Sequence, residues 1–209
     1  MFRRLALAPI LAAVLAIGLA LPAGATVRTS TSRNVVEILV ARSSLAGFDS
    51  NPYDYDILIT AAQTAGLVDA LATTSNITVF APDDAAFIRT ARSLGFTGSG
   101  ESAAWSFLVT ALGQVGAATG IGDAVDVLTV VLQYHVAPQV LRVWTMLYKG
   151  VTGGTVNTLA GVTFRVRLIE LVDKDPGIPN PYLNPLRLDL RASNGVIHGI
   201  TRVLIPADI

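Results

Sequence analysis

Asp83 and Asp84 are adjacent carboxylates that could act as a pair of acids. They follow Pro82 and precede an apolar stripe at helical spacing, Phe87, Ile88, Ala91 and Leu94. Helix-start charge therefore explains them, each stabilising the helix by roughly 0.5–1 kcal/mol. The chain has 2 histidines and no cysteine, so a zinc site at His198 would need carboxylates to complete it. Nothing near His198 has ligand spacing, and a hydrogen-bonded structural histidine is expected there. Asp173-Lys-Asp-Pro-Gly177 begins like a calcium loop but lacks the glycine at the sixth position and the glutamate at the twelfth. A solvated turn is the simpler reading, with a weak surface calcium contact as the alternative. Asn76-Ile-Thr78 is a glycosylation acceptor triplet, relevant only in a eukaryotic host. The chain contains no Gly-x-Ser-x-Gly elbow and no phosphate-cradling glycine loop, which leaves hydrolase and nucleotide-enzyme readings without a foothold. No catalytic, cofactor-binding or metal residue is expected.

The elements that would carry these residues are clearer than any chemistry. Ile77-Thr-Val-Phe-Ala-Pro-Asp-Asp-Ala-Ala-Phe87 reads as strand, sharp stop and helix. Ser193-Asn-Gly-Val-Ile-His-Gly-Ile-Thr-Arg-Val-Leu-Ile-Pro206 places Asn194-Gly195 between apolar runs, a strong signal for a C-terminal antiparallel hairpin. Asn34 caps a short helix through Ala41, and 47–52 reads as loop. Asp54 or Asp56 opens a longer helix with Leu58, Ala61, Ala65, Val68 and Leu71 on its buried face. From Gly95 to Gly122 the glycine content rises around an apolar helix, Ala103 to Leu112, and the segment reads as a surface excursion, loop or lid. Asp123 caps a helix with Val127, Val130 and Val131 turned inward, and Leu132 to Val136 starts a strand. Val162, Phe164, Val166 and Leu168 alternate with polar residues, as do Leu186, Leu188, Leu190 and Ala192. The proline-dense stretch between these two runs suits no central strand. Early helices, late strands and the lack of an internal repeat indicate one α+β domain.

The ends and the composition limit where this domain works. Arg3-Arg4, an apolar stretch from Leu5 to Leu21 and Pro22-Ala-Gly-Ala25 occur in the order of an export signal, with cleavage expected after Ala25. The expected organisation is a signal peptide over 1–25, a flexible lead-in over 26–33 and a single domain over 34–206. After cleavage nothing is expected to span a membrane, and the product would be secreted, extracellular or periplasmic. Without cysteine it would be held by its core alone. The 15 basic and 15 acidic residues balance, and the arginines are scattered, which argues against a nucleic-acid partner.

Thr64-Ala-Gly-Leu-Val-Asp-Ala-Leu71, Thr78-Val-Phe-Ala-Pro82 with Ala86-Phe87, Leu132-Gln-Tyr-His-Val136 and Asn194-Gly-Val-Ile-His198 together resemble the fasciclin (FAS1) domain in wording, order and spacing. The fold-defining residues on this resemblance are Thr78, Val79, Phe80, Ala81 and Pro82, with Asn194, Gly195, Val196, Ile197 and His198. It implies a β-wedge or sandwich with helices packed on it. It also implies a secreted, non-catalytic adhesion or interaction module, with extracellular or cell-surface proteins or glycans as partners and no cofactor. Some exported members bind apolar pigments, so a carrier of a small apolar ligand, lipid or carotenoid-like, is the alternative. The resemblance makes Tyr134-His135 the candidate adhesion contact. Adjacent strand residues point to opposite faces, so at most one of the two is expected in the core, and a hydrogen-bonded structural role is the simpler reading. Gly95–Gly122 and Glu170–Pro185 look like family-atypical surface loops, where partner specificity would lie. Thr201 stands where the family commonly has Asp.

Overall fold

The computed structural model describes residues 32–44 and 47–206. The export signal and most of the lead-in lie outside these residues. The described residues form seven α-helices, α1 (Val35–Val40), α2 (Asp56–Thr64), α3 (Val68–Thr73), α4 (Asp84–Ser93), α5 (Glu101–Thr119), α6 (Ala124–Tyr134) and α7 (Val143–Thr152), and two small sheets. The strands are β1 (Ile77–Pro82), β2 (Val136–Ala137), β3 (Thr155–Asn157), β4 (Thr163–Arg167), β5 (Glu170–Val172), β6 (Leu190–Arg191) and β7 (Gly195–Ile200). One sheet runs β2-β1-β7-β6 and the other β3-β4-β5, as the α+β expectation requires.

The two fold-defining motifs lie side by side. β1 and β7 pair in parallel, Thr78 opposite Val196, Val79 opposite Ile197 and Phe80 opposite His198. A parallel pair covered on both faces reads as a continuous apolar run, which explains why every residue of β1 is buried. Strand alternation then divides the core. Ile77, Val79, Ala81 and Ile197 pack with α1, α2, α4, α5 and α6, while Phe80 and Ile200 join Met146, Val156, Phe164, Val166 and Leu171 between the sheets. Phe80 meets Phe164 edge to face at 5.2 Å between centroids, and Tyr134 meets the same ring at 5.9 Å.

Local sequence sets the helix starts. Asn34 and Asp123 build capping boxes with Glu37 and Asp126, and Asp83 accepts from Ala86 N–H at 2.8 Å to cap α4. Several expectations are corrected. The single helix foreseen through Leu71 is broken between α2 and α3 at Gly66, whose φ of +66° no helix accommodates. The excursion from Gly95 to Gly122 is mostly α5, a helix of 19 residues with Ala104, Leu108 and Gly116 buried. Gly116 sits where a Cβ would overlap Gly122 O, so glycine there permits the close crossing of α5 and α6 and does not mark a loop. The hairpin of β6 and β7 is present, but Ala192 N–H bonds to Gly195 O, placing Ser193-Asn194 at the turn. Gly195 instead lies against Ile77 O, too close for any side chain.

Glu170–Pro185 is built into the fold as well. β5 pairs with β4, Tyr182 bridges to Glu170 and Leu183 to Ile200. Leu168 is exposed at the β4–β5 turn with φ +57°, not buried. The 186–192 alternation yields only β6, because Pro185–Arg187 coils as a 3-10 turn.

Candidate functional site

Tyr134 and His135 are not strand residues. Tyr134 ends α6 and His135 caps it, and both are buried. Tyr134 donates its hydroxyl to Thr163 O at 3.3 Å, and burial followed by the charge of Asp173 raises its pKa. His135 Nδ1 donates to Val131 O at 2.7 Å, and its Nε2 accepts from Leu204 N–H at 2.9 Å. That arrangement requires the neutral ring, and burial pulls its pKa down to about 4. His198 is held in the opposite tautomer: Nε2 donates to Leu141 O at 2.7 Å while Nδ1 accepts from Asp189 N–H at 3.2 Å. Its pKa is also lowered, chiefly by burial. Each imidazole thus ties distant backbone together, and neither ring is presented to solvent.

The other motif residues also serve the scaffold. Thr78 donates to Gln139 O at 2.6 Å and accepts from Leu141 N–H at 2.8 Å. Asn194 accepts from Val35 N–H at 2.9 Å and donates to Leu71 O at 2.8 Å and Thr74 O at 2.9 Å, so one amide closes the start of α1 and the end of α3. Asp173 receives Ile205 N–H and Asp175 N–H, and Asp175 Oδ1 receives Gly177 N–H, so three of the four carboxylate oxygens of this pair serve backbone N–H groups. Burial lifts Asp173 to about 6. Asn76 is exposed, but the Thr78 hydroxyl of its triplet is buried and engaged. Thr201 holds Tyr182 N–H through its hydroxyl at 2.9 Å.

Three further features of the structure bear on function. The first is the outer face of α7, where Trp144, Tyr148 and Val151 are 77%, 71% and 78% exposed. Their i, i+4, i+7 spacing forms one apolar stripe. The buried face of the same helix carries Met146 and Gly150, whose lack of a side chain lets the β4–β5 turn rest on it through Leu168 N–H to Gly150 O at 2.9 Å. Exposed Leu168 extends the patch from that turn. Helical periodicity over 143–152 was the available signal.

The second is an apolar cleft of about 510 Å³ between α4, α5 and α6, lined by Phe87, Leu94, Trp105, Phe107, Leu108, Leu112, Val115, Leu128 and Val131. Thr90 lines it too, but its hydroxyl already donates to Ala86 O and accepts from Val203 N–H. The helix foreseen over Ala103–Leu112 therefore forms one wall of a cleft.

The third is a cluster of carboxylates at the starts of α2, α4 and α5. Asp84 accepts from Asp56 N–H at 3.1 Å and Ile57 N–H at 2.8 Å, so it caps α2 from a neighbouring helix and is not only a helix-start charge. Its pKa is driven far above the usual carboxylate range, first by burial and then by the adjacent carboxyl of Asp54. Glu101 accepts from Asp49 N–H at 2.7 Å and is raised by burial and by the surrounding acids. Asp56 is likewise raised by burial, with Asp54 and Asp49 adding to it. Asp83 stands apart with its own cations, Arg89 at 3.5 Å and Arg187 at 3.8 Å. The residues of the cluster are scattered over fifty positions, and no spacing rule joins them.

With this geometry in place, comparison with known proteins gives a consistent result. The family model of the Fasciclin domain matches residues 53–206, and the chain belongs to that family. Such domains are generally extracellular or cell-surface adhesion and interaction modules, and the family is typically non-catalytic. Among solved structures, a FAS1 domain pair from the insect cell adhesion molecule fasciclin I is 16% identical, with a TM-score of 0.49 over 83% of this chain. The match spans 51% of that chain, about half its length. No curated protein matches the chain in sequence. Among the described residues no single helix is long and apolar enough to cross a membrane.

Proposed function

We propose that this protein is an exported, non-catalytic interaction module that meets an extracellular partner protein through the outer face of α7. The exposed stripe of Trp144, Tyr148 and Val151 carries the reading. Aromatic side chains grouped on a rigid element are the usual anchors of protein recognition, and a soluble surface does not align them without cost. The polar motif residues support this reading by exclusion, because their hydrogen-bonding groups are used inside the scaffold. Tyr134 and His135 then act on adhesion by fixing the end of α6, not by touching the partner. Export itself rests on the sequence signal over 1–25.

Saturable binding of purified protein to its host's cell surface or matrix tests this. Combined Trp144→Ala and Tyr148→Ala substitution is expected to weaken binding at least tenfold while the melting temperature stays within about 2 °C, since exposed side chains contribute little to stability. Binding unchanged by the pair of substitutions would remove the assignment.

The cleft favours a second reading, carriage of a small apolar molecule, because its volume and lining suit such a ligand. The sequence has 2 tryptophans, one in the cleft and one on α7, so Trp144→Phe leaves Trp105 as the sole indole reporter. In that background an apolar naphthyl probe is expected to quench Trp105, and Ala111→Phe, which fills the cleft, is expected to weaken probe binding about tenfold. Quenching that is indifferent to the filled cleft would contradict the carrier reading.

A further inference from the structure

Five carboxylates with no cation among the described residues converge where α2, α4 and α5 begin. One oxygen each from Asp49, Asp54 and Asp56 lies within 4.8 Å of the others, and the same holds for Asp54, Asp84 and Glu101, so Asp54 belongs to both sets. A cation bound at about 2.3–2.6 Å from each of two oxygens holds them no more than about 5 Å apart. The spacing therefore admits an ion within either triad, with Asp54 common to both.

The environment adds a separate requirement. Asp54 and Asp56 are only 4% and 3% exposed, and Asp54 Oδ1 and Asp56 Oδ2 have no hydrogen-bond partner among the described residues. Their other oxygens are engaged, Asp54 Oδ2 with Asn51 Nδ2 at 3.0 Å and Asp56 Oδ1 with Ser44 N–H at 2.8 Å. Buried carboxylate oxygens without donors are costly, and several together repel one another. The nearby arginines do not answer them: Arg89 and Arg187 both pair with Asp83. Asp49, which is exposed, leaves the cluster an edge open to water through which an ion can enter.

We propose that this cluster binds one divalent cation of calcium's size and hardness, with Asp49, Asp54 and Asp56 as its ligands and with Asp84 and Glu101, which approach Asp54 from its other side, adding negative charge behind them. An all-oxygen, carboxylate-rich set disfavours soft metals. Several protein carboxylates in irregular array suit calcium better than magnesium, which demands octahedral geometry and keeps its waters. The ion would tie the segment around Asp49 to the start of α2. Asp173–Gly177, where the sequence has its calcium-like start, is a different place: Asp173 holds Ile205 N–H and Asp175 N–H, Asp175 Oδ1 holds Gly177 N–H, and a single oxygen, Asp175 Oδ2, is left without a partner among the described residues.

Calorimetric titration of EDTA-stripped protein with calcium chloride at pH 7.5 and 0.15 M salt tests the site directly. One saturable site with a Kd between about 10⁻⁵ and 10⁻³ M is expected. At a hundredfold excess over Kd the melting temperature should rise by about 5 °C or more, with magnesium giving less than a fifth of that shift. Asp54→Asn and Asp56→Asn, which preserve shape and the hydrogen bonds to Asn51 and Ser44 only in part, should weaken calcium at least tenfold. Glu101→Gln provides a milder variant expected to weaken it severalfold if either substitution impairs folding. Absence of saturable heat in the wild-type protein would overturn the proposal. So would calcium and magnesium raising the melting temperature equally, or wild-type affinity in the folded variants.

Discussion

Replacing Asn194 by alanine is expected to cost about 3–5 kcal/mol of folding stability, measured by urea denaturation at neutral pH. The amide oxygen of Asn194 is the only group among the described residues that answers Val35 N–H at the start of α1, and its Nδ2 donates to the carbonyls of Leu71 and Thr74 at the end of α3. Removing it leaves a buried donor and two part-buried acceptors without their partner. Each such group costs about 1–3 kcal/mol. Water can enter at the exposed end of α3 and recover part of the loss, which keeps the total below the sum. A domain of this size has about 5–15 kcal/mol in hand, so the variant should unfold at markedly lower urea. Asn194→Asp should rescue little, because a carboxylate retains the acceptor for Val35 but faces the carbonyls of α3 with charge in place of a donor. A loss below about 1 kcal/mol would mean that the two helix ends are held by other contacts.

The second large effect is on acid stability. His135 is neutral in the folded protein, with its folded pKa near 4 set by burial. The unfolded value is about 6.5, so the group contributes stability that is fully present above that pH and is lost as pH falls through about 4. The shift corresponds to about 3 kcal/mol. Its structural cause is specific: protonating Nε2 would set a ring N–H against the N–H of Leu204. Asp173 acts in the opposite direction, since burial raises its folded pKa to about 6, and the stability it contributes is present below its unfolded value and lost as pH rises through the folded one. The net denaturation profile therefore mixes signs, and the titration of the ring itself is the cleaner reading. With 2 histidines in the sequence, the imidazole carbon-bound protons are easily resolved by NMR. His135 should titrate near pH 4, and a midpoint near 6.5 would refute the buried hydrogen-bond arrangement.

Much of the fold was legible because its signals are local. Asn34, Asp83 and Asp123 carry the capping chemistry for the helices they start, and the structure uses all three in that way. The β-branched run before Pro82 and the apolar run after Asn194 form the two central strands. Their parallel pairing was not visible, since nothing in either segment encodes a neighbour over a hundred residues away. Glycine misled in two ways. Gly195 suggested a turn position but is required by the approach of Ile77, and the glycines between 95 and 122 suggested a loop although Gly116 serves helix packing. Tyr134-His135 was placed in a strand because β-branched and aromatic residues surround it, yet the period of α6 carries through Tyr134. Tertiary burial overrides local propensity at that point. The carboxylate cluster is a product of packing alone. The stripe on α7 could have been found, because Trp144, Tyr148 and Val151 lie at helical spacing on a segment whose other face holds Met146 and Gly150.

The interior polar groups of the family motifs thus hold strands and helix ends, and the exposed stripe on α7 is the surface proposed for recognition. Hydrogen–deuterium exchange of the protein with and without its saturating partner reads this division most directly. New protection over 143–152, with amides of 132–137 unchanged, is the expected footprint. Protection centred on 132–137 with 143–152 exchanging freely would contradict it.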